Sequence, residues 1–224
     1  MGTSKNYIGL NDVKHSKTKK SLNDYLKDTN DRGTKITNFC KNFAISSKDE
    51  GQVIANLSSK IGSVFGIISS LSLGNNKVIV NDKEYDISEF NNAKDFFEYI
   101  ESNNNTYTID DKIIYNSLYE TIEELGIEEF ETLKNLDLNK FIILFIANSV
   151  KNLFLQRYYG HILDKVKSET ETIRVCKEIS EYIYNEITIN LTVEKSFEVS
   201  QPDELEKYAN SQILAALQIL EGEI

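Results

Sequence analysis

Residues able to do chemistry are few in this chain of 224 residues, and their spacing limits what they can do. There are two histidines, His15 and His161, and two cysteines, Cys40 and Cys176. His161 stands beside Tyr158, Tyr159 and Asp164 at the far end of a long apolar stretch. A histidine placed there more often contacts the last carbonyls of a helix than acts as a base. His15 falls in a polar segment and reads as solvated. The cysteines are far apart and outside any metal-ligand spacing, so neither a disulfide framework nor a zinc site is expected. Cys176, on an apolar face, reads as a buried and inert thiol. Glu123, Glu124, Glu128, Glu129 and Glu131 gather without a histidine or aspartate at ligand spacing, and they read as a solvated acidic surface. No nucleophile elbow, metal-binding helix motif or phosphate loop is present in the sequence. No catalytic, cofactor-binding or metal-binding residue is therefore assigned, and the expectation is a protein that is bound or acted upon.

The remaining candidate is the start, Met1-Gly2-Thr3-Ser4. Glycine in second place permits removal of the methionine and leaves an α-amine on an unhindered residue. An ordinary α-amine pKa of about 7.7–8.0 leaves a fraction of it uncharged and nucleophilic at neutral pH. N-myristoylation would call for Ser or Thr at position 6, where this chain has Asn6.

The elements that must carry these residues follow from periodicity. Phe141-Ile142-Ile143-Leu144-Phe145-Ile146-Ala147 is the longest charge-free apolar run, and Val150, Leu153, Phe154, Tyr158 and Ile162 extend it at three- and four-residue steps. That spacing predicts a central helix from Asp137, its N-cap, through Ile162, loosened at its end by Gly160 and His161. A helix apolar around most of its circumference must be wrapped by others. Gln52 to Leu73 predicts a second helix, with Ser58, Gly62 and Gly66 four apart as a smooth strip for a neighbouring helix. Residues 77–87 are the one β candidate, a small hairpin appendage or a loop. Ser88 is expected to cap a short helix bearing Ala93, Phe96, Phe97 and Ile100. Thr108 to Asp111 and Ser168 to Glu171 resemble capping boxes, the first opening a helix that Gly126 stops. Ile173, Cys176, Ile179, Tyr182, Ile183 and Ile187 form the inward face of the helix after Ser168. Pro202 with Ser200 starts the last one. The expectation is an all-α fold: a single helical bundle over residues 36–224, with Ile36, Phe39, Phe43 and Ile45 as its first apolar contacts. A flexible basic tail is expected over residues 1–35, where at most Leu22, Tyr25 and Leu26 make a helical turn.

Charge divides along the same line. Residues 1–42 hold nine Lys and Arg against four Asp, while residues 43–224 hold sixteen against thirty-one Asp and Glu. An acidic body repels phosphate, so direct nucleic-acid binding is disfavoured. The uncharged stretch from Ile61 to Asn76 is shorter than the roughly 20 apolar residues that span a bilayer. With no secretory h-region at the start, a soluble cytoplasmic protein is expected.

The opening Met1-Gly2-Thr3-Ser4, the polar tail and the helical body with Ile109-Asp110-Asp111 and Tyr119-Glu120-Thr121-Ile122 together resemble the QatB family of bacterial Qat anti-phage defence systems. Where members carry a Gly-Gly-Pro-rich stretch after the opening, this chain has Tyr7-Ile8-Gly9-Leu10. The resemblance implies partners: a QueC-like enzyme, a P-loop ATPase and a TatD-like nuclease. QueC-like enzymes use ATP to activate a 7-deazaguanine carboxylate, and relatives in defence operons are linked to modification of an N-terminal glycine. It therefore implies Gly2 as the modified residue, Thr3 and Ser4 as recognition positions, and a non-enzymatic role. The alternatives are a helical adaptor whose tail is not modified, and a hydrolase built on His161.

Overall fold

The computed structural model describes residues 15–27, 31–80, 83–103, 107–193 and 202–223. The central element is α7, Leu138–Val166, for the reason its sequence suggests. Asp137 accepts hydrogen bonds from the amides of Asn139 and Lys140 at 3.0 and 3.1 Å, satisfying two of the exposed first-turn donors. Phe141, Phe145, Phe154, Tyr158 and Ile162 are fully buried. The helix runs unbroken through Gly160 and His161 to a left-handed C-cap at Lys167, φ 56°. The expected loosening at Gly160 is therefore absent, because the bundle holds that turn from several sides.

The helices around α7 are α1 (Ser16–Lys27), α2 (Arg32–Lys48), α3 (Gly51–Ser72), α4 (Ala93–Ser102), α5 (Ile109–Leu125), the single turn α6 (Phe130–Leu133), α8 (Glu169–Asn190) and α9 (Pro202–Glu221). The only sheet among the described residues is an antiparallel hairpin, β1 (Lys77–Val80) paired with β2 (Lys83–Asp86), Lys77 opposite Asp86. The fold is thus all-α with one small hairpin. Helices α3 and α7 are long and apolar enough to cross a membrane by length and composition; here their apolar residues form the core.

Local chemistry sets most boundaries. Thr108 and Asp111 form a reciprocal capping box, and Gly126 ends α5 at φ 62°, a conformation glycine adopts without strain. Ser168 caps α8 through the Glu171 amide. One boundary differs from expectation. Ser88 does not cap the helix of Phe96 and Phe97; Asp86 caps a short 3-10 turn over Ile87–Glu89, and Asn92 caps α4 through the Asp95 amide. Either side chain can cap; the extended backbone at Asn92 decides.

The expected tail needs the larger correction. Residues 1–14 and 28–30 lie outside the described residues, but α1 is a helix and α2 starts at Arg32, ahead of Ile36. Leu22 and Tyr25 are buried. Thr18 Oγ1 donates to the Asn42 carbonyl at 2.9 Å, and Tyr25 OH donates to Glu178 of α8 at 2.6 Å. The low hydrophobicity of this stretch misleads because polar partners far along the chain, not a broad apolar face, hold it down. Ile45, expected inside, is 40 % exposed.

The strip of Ser58, Gly62 and Gly66 is where α9 crosses α3. A Cβ on Gly62 would stand 2.9 Å from the Glu206 amide nitrogen, and one on Gly66 3.1 Å from Leu205 Cδ1. Ser58 Oγ lies 3.2 Å from Asn210 Oδ1. Small residues bring the two backbones together, and no space for a ligand remains.

Candidate functional site

The opposite side of α7 is open. Helices α5 and α8 flank it and leave a groove of about 1000 Å³ with α7 as its floor. From Lys112 to Glu124 the α5 wall runs twelve residues, about 18 Å at 1.5 Å per residue. The floor is held by a buried polar network. Asn148 Nδ2 donates to Thr121 Oγ1 at 3.0 Å and Asn152 Nδ2 to Ser117 Oγ at 3.1 Å. Lys151 donates to Asn148 Oδ1 at 2.6 Å, pairs with Glu120 at 3.2 Å and lies 5.4 Å from the Tyr184 ring centroid. One end is bridged by Tyr184 OH donating to Glu124 at 2.5 Å. The other, by Lys112, Ile113, Tyr159 and Ile173, is not bridged among the described residues.

Two features point to an occupant. Ser180 is 8 % exposed and lines the groove, yet its Oγ has no hydrogen-bond partner among the described residues. A buried hydroxyl left so costs about 1–3 kcal/mol. Ile173, read from sequence as inward, is 55 % exposed on the wall. Periodicity places Ile173 on the right stripe; it cannot say that the neighbour expected to cover it is missing.

A second cluster, also unforeseen, lies where the start of α1 meets α2, α3 and α7. His15 is fully buried, not solvated. Its Nδ1 shares a 3.0 Å hydrogen bond with Tyr158 OH, and its Nε2 meets Glu50. Glu50 also pairs with the buried Arg157, whose Nη1 donates to Ser47 Oγ at 3.0 Å. Burial lowers the Arg157 pKa, while Glu50 opposes that shift and is the reason the charge is tolerated there. Burial likewise pushes Tyr158 up to about 12. The cluster joins α1, α3 and α7 across a sequence separation of 143 residues; no local pattern announces it.

His161 is half-buried, with Nε2 3.2 Å from Asn23 Oδ1 on α1, so its contact is a side chain of a neighbouring helix and not a helix-end carbonyl. Burial first, then Lys165 and Lys19, lower its pKa. Burial raises Cys176 to about 11 and Cys40 well above the ordinary thiol value, which leaves both as thiols. Glu123 and Glu124 of the acidic group line the bridged end of the groove. Among the described residues no three His, Cys, Asp or Glu side chains are grouped to hold a metal. Gly2, Thr3 and Ser4 lie outside the described residues.

Residues 93–220 match the family model of QatB, the Qat anti-phage system associated protein. The chain belongs to the QatB family. No curated protein and no solved structure matches it. Membership makes this QatB-family chain a component of an anti-phage defence system, with partners inside that system. The matched span contains all three groove helices, whereas His15 and Glu50 precede it.

Proposed function

We propose that this chain is a non-enzymatic component of the Qat system that presents Gly2 for modification by a QueC-like partner in the cytoplasm. The observation that carries the reading is the burial of His15 between Glu50 and Tyr158. It supports the reading by fixing His15, fourteen positions after Met1, against the bundle, and a chain from Gly2 to that anchor can reach at most about 3.3–3.6 Å per residue. An enzyme can act on such a segment without unfolding the body. The non-enzymatic part rests on the histidines, since His15 is walled in and His161 braces α7 against α1. His161→Ala is accordingly expected to leave defence intact.

Intact mass spectrometry tests the modification. In cells carrying the complete system the mass increase is expected only on the N-terminal peptide. Gly2→Ala keeps the amine and should slow the reaction; Gly2→Glu retains Met1 and should abolish it. An unmodified Gly2 in an active system overturns the reading. The groove favours a second one, an adaptor that binds a partner segment between α5 and α8 with no modified tail.

A further inference from the structure

We propose that the groove between α5 and α8 binds an extended segment of a partner protein, about six residues long, that carries an apolar side chain and a Lys or Arg about four positions apart. The inference deepens the adaptor reading above and does not depend on modification of Gly2.

Unsatisfied polar groups decide the conformation of the occupant. Ser180 Oγ, on the α8 wall, is buried and has no partner among the described residues. Asn116 of α5, Gln156 of α7 and Asn185 of α8 line the same groove, and their carboxamides make no hydrogen bond among the described residues. A carboxamide both donates and accepts, as a peptide group does. Such groups on all three helices, with a free hydroxyl among them, suit a bare main chain. An α-helix would satisfy its own N–H and C=O groups internally and offer these side chains no main-chain partner. A docked helix also seats its apolar face in an apolar groove, whereas here Asn148, Lys151 and Asn152 make the floor polar. The length of about 18 Å holds about five or six extended residues at 3.3 Å each.

Charge and apolar surface then select the side chains. Four glutamates line the groove: Glu120, Glu123, Glu124 and Glu181. Lys151 meets Glu120 at 3.2 Å, and Lys177 meets Glu181 at 3.7 Å. Glu123 has no cation partner among the described residues, and Glu124 accepts a hydrogen bond from Tyr184 OH. Two carboxylates thus remain near the bridged end for a cation of the guest. Lys112, at the other end, repels that cation and so sets which way round the guest lies. Beside Lys112, Ile113, Tyr159 and the exposed Ile173 present ring and methyl surface. Ile113 and Glu123 are ten helical residues apart, about 15 Å. An extended chain covers most of that in about four steps, and the long stem of Lys or Arg reaches the remainder. Alternate residues of an extended chain face the same side, so both side chains point into the groove together.

The test is fluorescence anisotropy of the purified full-length chain with end-capped, labelled six-residue peptides in which Leu and Arg stand four apart among Ser and Thr, in either order. Saturable binding of one order with a Kd of about 1 mM or tighter is expected, and replacing Arg by Glu should weaken it about tenfold by setting like charges together. Glu123→Gln with Glu124→Gln should abolish the preference for Arg over Glu. Asn116→Leu in the protein, and N-methylation of alternate peptide groups in the ligand, should each weaken binding several-fold, because each removes hydrogen bonds to the guest main chain. Binding indifferent to all of these changes would place the peptide elsewhere and overturn the proposal. Tighter binding of a hydrocarbon-stapled helix bearing Leu and Arg, lost with Asn116→Leu, would overturn the extended form and leave the adaptor reading standing. No binding of either probe to a chain that urea denaturation shows to be folded would overturn both. Modification of Gly2 is read separately, by mass spectrometry, and none of these outcomes bears on it.

Discussion

Where α3 meets α9, backbone approaches backbone; where α5 faces α8 across α7, the walls stay apart. At the first contact the residues are Ser58, Gly62 and Gly66, and at the second Asn116, Glu120, Leu155, Tyr159 and Tyr184. Both strips repeat at helical spacing, so both look like packing faces in sequence. The difference is side-chain volume and where polar atoms find partners. A strip without side chains closes onto its neighbour, whereas long side chains braced by Lys151 and Glu120 hold a floor open. A groove in a bundle of this size is thus made by what fills the helix faces beside it, not by a gap in the helices themselves.

The sharpest way to break that comparison is to give the closed seam a side chain. Gly62→Val would drive carbon into the Glu206 and Leu205 backbone, and overpacking of this kind costs about 1–3 kcal/mol or more. Asn116→Leu on the exposed groove wall should stay within about 0.5 kcal/mol of the parent. Urea denaturation of the two variants gives the comparison directly, and similar losses at both positions would show that the groove is packed as tightly as the seam.

Ser180→Ala is expected to be neutral or stabilising by up to about 1 kcal/mol, because it deletes a buried hydroxyl that has no partner among the described residues. A loss above about 1 kcal/mol, read from the same urea denaturation, would mean that an occupant already satisfies this oxygen.

The smallest effect concerns pH where α7 meets α1. His161 has its folded-state pKa below its ordinary value near 6.5. The unfolded chain therefore binds the proton more readily, so the contribution of this group is complete above about pH 6.5 and is lost as pH falls toward the lowered folded value. His161→Gln should flatten the decline of Tm between pH 7 and pH 5.5 slightly. An unchanged or steeper slope would contradict the burial of the imidazole against α1.

Legibility followed the range of the interactions. Asp137, Thr108, Ser168 and Gly126 mark helix ends in the sequence because each acts on backbone groups within about four residues. Ser88 fails as a cap since Asn92 competes for the same role nearby. The burial of α1 is not legible: Leu22 and Tyr25 make too narrow an apolar stripe, and Glu178, which holds Tyr25, lies 153 residues away. Ile173 has the spacing of a core residue and ends on a groove wall.

By itself the sequence determines the all-helical class, the central helix and the small-residue strip, since periodicity, caps and residue size act locally. Only the tertiary structure decides that His15 is buried, that Arg157 and Glu50 pair beneath it, and that α5, α7 and α8 enclose a polar-floored groove. Those outcomes depend on which faces meet across more than a hundred residues of chain, and burial is a property of the meeting, not of either face alone.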